Sequence, residues 1–199
     1  HIGCLTPMSD LPARPLLGRP ASGKADWARL RERFSWKIPE TFNIATACCD
    51  VWAAAKPDRV AVTHLGADGA RSVWSYGDLK RASDRLAAAL AARGVMRGDR
   101  VAVLMSQHPA VLVSHLAAMK LGAVSVPLFT LFGSDALRYR LADSGARAVI
   151  VESAALDRVM ALRPDLPDLQ VVISTGVAAP PVLAFDEIVA TPAPGFTPV

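Results

Sequence analysis

Residues 100–128 read RVAVLMSQHPAVLVSHLAAMKLGAVSVPL, and this stretch decides the fold. Arg100 to Met105 is a short apolar run without polar alternation, which predicts a buried strand. Pro109 suits the first turn of a helix, where its fixed φ is already helical and its missing N–H is not needed. That helix runs to Gly122, a residue able to take the left-handed turn that closes a helix. Val124 to Leu128 is a second apolar strand, whose end Pro127 marks. Buried strand, helix, buried strand is the repeating unit of a parallel sheet covered on both faces.

The same alternation extends outward. Downstream, Ser134 is placed to cap a helix reaching Ser144, with Gly145 as its terminator. Ala148 to Val151 is a strand, a helix starts at Ser153, and Val171 to Ser174 is another strand. After Ser174 the chain turns Pro- and Ala-rich and reads as a connecting tail. Upstream, Ser75 with Asp78 three residues on approximates a capping box. The helix it opens carries Leu79, Ala82, Leu86, Ala89 and Leu90 and ends near Gly94. Val60, Val62 and the Val73–Trp74 pair belong to two short strands joined through Asp68-Gly69, which supplies a positive-φ turn. Phe42, Ala45, Cys48, Trp52 and Ala55 recur at helical steps, so a helix over 42–55 is expected to bury them on one face, with Pro57 stopping it. A short helix is expected over about 26–34, and residues 1–24, rich in Pro, Gly and Arg, read as a mobile arm. Met8-Ser9-Asp10 looks like a natural start, so residues 1–7 are set aside as an artificial extension. The fold class is therefore α/β, a largely parallel sheet flanked by helices with an N-terminal β-hairpin, over 25–199.

Composition narrows the function. The chain is 52% hydrophobic and 20% charged, a core-forming balance rather than a disordered one. Its net charge of +4 is concentrated at the start: residues 1–40 hold seven Lys/Arg against four Asp/Glu, and residues 41–199 hold fifteen against fourteen. No basic stripe interleaved with aromatics runs through it, so nucleic acid is not an expected partner. No apolar run reaches the length of a membrane span. Three cysteines, Cys4, Cys48 and Cys49, make neither a disulfide framework nor a zinc site, which fits a reducing, cytoplasmic setting.

Several short motifs are decoys. Gly18 to Lys24 spells G-x-x-x-x-G-K, but Ala25 stands where Ser or Thr would hold magnesium, and Pro12 and Pro15 spoil the strand such a loop needs. Arg97-Gly98-Asp99 reads as a tight turn before the Arg100 strand. Ser174-Thr175-Gly176 lacks the further Gly and Lys of a phosphate loop and reads as a strand end. His108 precedes a helix start and His115 lies inside the helix. Neither has a Ser or Cys partner that spacing identifies, so a hydrolytic triad is not supported.

Four segments together carry a resemblance. Trp74-Ser75-Tyr76-Gly77-Asp78-Leu79, Gly94-Val95-Met96-Arg97-Gly98-Asp99-Arg100-Val101-Ala102 and Met119-Lys120-Leu121-Gly122-Ala123-Val124-Ser125-Val126-Pro127-Leu128 resemble, in order and spacing, successive motifs of AMP-forming adenylating enzymes. Trp36 to Ala45 resembles the opening segment of medium-chain acyl-CoA synthetases. The resemblance covers about residues 34–175. It implies an incomplete N-terminal subdomain of an enzyme that attacks the α-phosphate of ATP with a carboxylate, such as a fatty acid, and then transfers the acyl group from AMP to coenzyme A. In that family the magnesium-dependent first step needs a Ser/Thr/Gly-rich loop ending in Lys and later acidic and Lys residues. None of these occurs here, so no catalytic residue is named, no metal site is expected, and this chain alone is expected to be inactive.

What the resemblance leaves to this chain is a coenzyme A surface: Phe129, Thr130 and Leu131, where relatives often carry glycines at the latter two positions, and Arg158, near an arginine that meets the CoA phosphates. Core packing of Phe129 and Phe132 and a solvated helix face for Arg158 are the competing structural readings. The implied partners are the remainder of a synthetase chain and, in the complete enzyme, carboxylic acid, ATP and CoA. A standalone ligand-binding or interaction module that kept the scaffold without catalysis is the alternative.

Overall fold

The computed structural model describes residues 27–32, 34–36, 38–176, 178–192 and 195–199. The expectations for residues 1–24, the Gly18–Lys24 decoy included, lie outside these. The chain forms two units, His1–Glu40 and Thr41–Val199. In the first, the described residues include helix α1 (Trp27–Glu32) and an edge-on contact of Phe34 with Trp36 at 4.9 Å between ring centroids.

The second unit opens with a π-helical turn, Thr46–Asp50, running into α2 (Val51–Ala55). The antiparallel hairpin β1 (Val60–Leu65) and β2 (Arg71–Ser75) follows, turning through Gly69 at φ +79°. Then come α3 (Tyr76–Ala91), β3 (Arg100–Leu104), α4 (Pro109–Lys120), β4 (Val124–Leu128), α5 (Ser134–Asp143), β5 (Ala148–Val151) and α6 (Ser153–Leu162). The unit continues through β6 (Val171–Ser174), β7 (Leu183–Ala184) and α7 (Phe185–Ala190). Strands β3 to β7 form one parallel sheet in the order β4-β3-β5-β6-β7.

Side-chain alternation divides the sheet into two apolar faces. Val101, Val103, Ala148, Ile150, Val171 and Ile173 join α3 and α4 in one core cluster. Ala102, Leu104, Val149, Val151 and Val172 join α5 and α6 in the other. The strand order explains this split. The chain steps one way from β3 to β4 and then back across β3 to β5, and right-handed crossovers in opposite directions must use opposite faces.

Four local expectations are corrected. The helix after Phe42 buries Ala45, Cys49 and Ala53, whereas Phe42, Cys48 and Ala55 are exposed. Its wide turn, closed by the Val51 N–H on the Thr46 carbonyl, advances the buried face beyond the assumed regular spacing. Ser134 does not cap α5: Gly133, in extended conformation, holds the cap position and Ser134 is already the first helical residue. Pro127 does not end β4 but pairs with Val103 inside it, tolerated because β4 is the edge strand among the described residues, so the missing N–H faces no neighbouring strand there. The segment after Ser174 is not only a connection, since it adds β7 beside β6 and then α7, whose Phe185 is buried in the first core cluster.

Candidate coenzyme A face

The residues that the family resemblance assigns to CoA meet at one place. Phe129, Thr130 and Leu131 lie in the loop between β4 and α5, and Arg158 reaches that loop from α6. The Arg158 guanidinium donates through Nη1 to the Phe132 carbonyl at 2.6 Å and through Nη2 to the Thr130 carbonyl at 3.2 Å. Phe132 packs against the second core cluster, as the structural reading expected, but Phe129 is 73% exposed and Leu131 is 93% exposed. The two phenyl rings meet edge to face at 5.6 Å. Arg140 of α5, which sequence reasoning missed, stacks over the Phe132 ring at 4.0 Å. Nothing in the sequence singles it out, since only the packing of α5 brings it to the Phe132 ring.

The reversal of strand order falls between β3 and β5, where the carboxyl ends of a parallel sheet open a crevice. Here it is spanned by Glu152, whose Oε2 accepts from the Ser106 N–H at 2.8 Å and from its hydroxyl at 2.6 Å. Next along the edge, Ser153 N–H donates to Thr175 Oγ1 and Gly176 N–H to Asp186 Oδ2. The N–H groups of Ser106 and Gly176 are thus occupied by the chain's own carboxylates, which disfavours an anion at either.

Elsewhere, several charged and ring-bearing groups hold elements together. Lys120 is fully buried, 2.5 Å from Asp84 Oδ1 and 2.8 Å from Asp50 Oδ1, the latter approach too oblique for a hydrogen bond. Lys80 takes the other oxygen of Asp84 at 2.5 Å. Beside this cluster, burial pushes the Cys49 thiol up to about 11, so it stays protonated and unreactive. His108 caps α4, its Nδ1 accepting the Ala110 N–H at 3.2 Å, and its ring meets His64 edge-on at 5.1 Å. His115 Nδ1 lies 2.6 Å from Ser125 Oγ, a pairing between α4 and β4 that spacing did not reveal. Among the described residues no three His, Cys, Asp or Glu side chains converge as metal ligands would. Nor is any helix among them long and apolar enough to cross a membrane.

A family model described as AMP-binding enzyme matches residues 49–194. The chain belongs to the AMP-binding enzyme family. Among curated relatives, acetyl-coenzyme A synthetase 2 of Eremothecium gossypii is 37% identical over 117 residues, covering 58% of this chain and 17% of the relative. The acetyl-coenzyme A synthetase of Streptomyces coelicolor is 36% identical over 124 residues, covering 62% and 19%. The human mitochondrial acyl-coenzyme A synthetase ACSM5 is 32% identical over 139 residues, covering 67% and 24%. Among solved structures, a Brucella canis acyl-CoA synthetase superposes with a TM-score of 0.72 at 27% identity, covering 88% of this chain and 32% of that one. An acetoacetyl-CoA synthetase from Streptomyces lividans gives 0.73 at 25% identity, covering 80% and 27%. The chain therefore spans no more than about a quarter of these curated relatives.

Proposed function

We propose that this chain is the N-terminal portion of an acyl-CoA synthetase that activates a carboxylic acid with ATP to acyl-AMP and transfers the acyl group to coenzyme A. The observation that carries the reading is the family match over residues 49–194 together with relatives whose printed names are acetyl- and acyl-CoA synthetases. In this proposal the chain supplies scaffold and one wall of the CoA face, made by Phe129, Thr130, Leu131 and Arg158. In the same reading ATP, magnesium and the acid are held by other parts of the synthetase. A cytoplasmic setting belongs to the same proposal and suits the free cysteines Cys48 and Cys49.

The test is a complete synthetase containing this chain, supplied with ATP, magnesium, CoA and a series of carboxylic acids from acetate to medium-chain fatty acids. Acid-dependent release of pyrophosphate and formation of the matching thioester are expected. Acyl-AMP formed but passed to no thiol would refute the CoA assignment, and no acid-dependent exchange of pyrophosphate into ATP would refute the whole reading and favour an interaction module.

A further inference from the structure

The loop between β4 and α5 presents two large apolar side chains to solvent, yet its backbone is braced. Phe129 and Leu131 point outward, at 73% and 93% exposure. Beneath them Arg158 forks onto two carbonyls of the loop, those of Thr130 and Phe132. Phe132 is fixed between the underlying core cluster, the edge of Phe129 and the guanidinium of Arg140. Among the described residues no other side chain donates to these two carbonyls. The loop also needs no glycine at positions 130 and 131, because no non-glycine residue among those described has a positive φ. Their side chains are accommodated because the brace is made through the backbone.

We propose that Arg158 is a positioning residue: its fork onto the Thr130 and Phe132 carbonyls sets the height and orientation of the Phe129–Leu131 ridge, and it governs CoA binding through that ridge rather than by contact with a CoA phosphate. The inference rests on the CoA reading of the loop given above. Both terminal nitrogens of the guanidinium are turned onto the loop, and the two accepting carbonyls stand two residues apart. A planar fork meets such a pair with one pre-set donor on each carbonyl, whereas an ammonium on its shorter, more flexible stem must reach both from a single centre. Arg158 lies on α6 and the ridge on the segment before α5, so the same contact fixes the ridge against a rigid element and lowers the ordering cost of any ligand that lies on it.

Two measurements separate the possibilities. On this chain, hydrogen exchange of the amides of residues 129–133 is followed in the wild type, Arg158→Ala and Arg158→Lys. Both variants are expected to exchange there about tenfold faster with the β3–β5–β6 amides unchanged, the signature of a local opening. In the complete synthetase, both variants are expected to raise KM for CoA about tenfold, roughly 1.4 kcal/mol. Their kcat and the acid-dependent exchange of pyrophosphate should stay within about twofold, because a positioning loss falls on CoA binding. The same rise is expected with CoA lacking its 3′-phosphate. Unchanged loop exchange would overturn the proposal. So would a KM effect that disappears with the dephosphorylated substrate, or one that Arg158→Lys rescues, since either marks a direct phosphate ligand. If Arg158→Ala loosens the whole unit, Arg158→Lys carries the decision. A synthetase that forms no thioester with wild-type Arg158 refutes the CoA reading, while the exchange measurement still decides whether Arg158 holds the loop.

Discussion

Lys120 shows how a residue inside a sequence motif can serve packing rather than chemistry. It follows Met119 in the segment that marks the family resemblance, and its side chain is the largest of those fully buried. A buried ammonium is tolerated only with partners, and Asp84 and Asp50 provide them, with Lys80 balancing the charge of Asp84. The cluster ties α4 to α3 and to the π-helical turn, three segments far apart in sequence. Removing one member is therefore worse than never having had the pair, because the remaining carboxylates stay buried. Lys120→Ala is expected to lower the unfolding free energy by roughly 3–5 kcal/mol. Lys120→Met combined with Asp84→Leu is expected to recover part of that loss. Urea unfolding followed by circular dichroism measures both, and a single-variant loss below about 1 kcal/mol would place the pair among weak surface bridges instead. Nothing in the sequence announced this cluster. A lysine near the end of an apolar helix reads as a snorkelling surface residue, and only the crossing of three helical segments shows that it has nowhere to go.

At the scale of elements, the helix ends carry much of the local specification. The Ser75 capping box forms as expected: the Asp78 N–H donates to Ser75 Oγ at 3.1 Å, and Asp78 Oδ2 accepts from the Ser75 N–H at 2.9 Å. The Ser75 hydroxyl, then its N–H, hold the Asp78 carboxyl below the usual carboxylate range. The cap of α4 works in the opposite sense. Burial holds His108 below the ordinary imidazole value of 6.5, neighbouring His64 adds to this, and Asp186 opposes it. Burial alone does the same to His115. A depressed imidazole is neutral in the folded chain while the unfolded chain takes up protons. The stability these groups contribute is thus present above pH 6.5 and lost as pH falls from there through their lower folded values. The urea midpoint is expected to drop between pH 7.5 and about 5.5, and the double variant His108→Asn, His115→Gln to flatten that drop, with Asn retaining an acceptor for the helix end. A wild-type midpoint that does not move across this range would show that neither ring titrates differently on folding. Elements with such end signals were legible from sequence: the hairpin turn at Gly69, the start of α3, Pro109 opening α4, and the glycines after α4 and α5. Less legible was whatever local rules do not determine. A π-helical turn shifts a face by one residue without changing composition, and a two-residue strand such as β7 is too short to have a period.

Across the whole molecule, the four residues proposed for CoA were brought to one loop and the helix behind it, and the alternation of apolar strands with helices that predicted the sheet also predicted its two buried faces. Their surroundings were less legible, because Arg140 and the carbonyl partners of Arg158 depend on how α5 and α6 pack on one face of the sheet. The sequence also sets an expectation for this chain in isolation. Its sequence lacks the Ser/Thr/Gly-rich loop ending in Lys that the resemblance calls for, and no three His, Cys, Asp or Glu side chains converge among its described residues. Purified free of host enzymes, these 199 residues are expected to show no carboxylate-dependent exchange of labelled pyrophosphate into ATP. Turnover above a boiled control would mean that the catalytic groups lie in the chain after all. The strand order has a further consequence, for synthesis. β3 is made first of the five and lies between the second and the third. β4 adds to one of its edges, β5 to the other, β6 to β5 and β7 to β6, so each strand leaving the ribosome finds a partner that already exists. No strand has to wedge between two that have already paired. A parallel sheet, slow to form when distant segments must find one another, can here grow outward in step with translation, with its unfinished edge always at the youngest end once β5 is laid down.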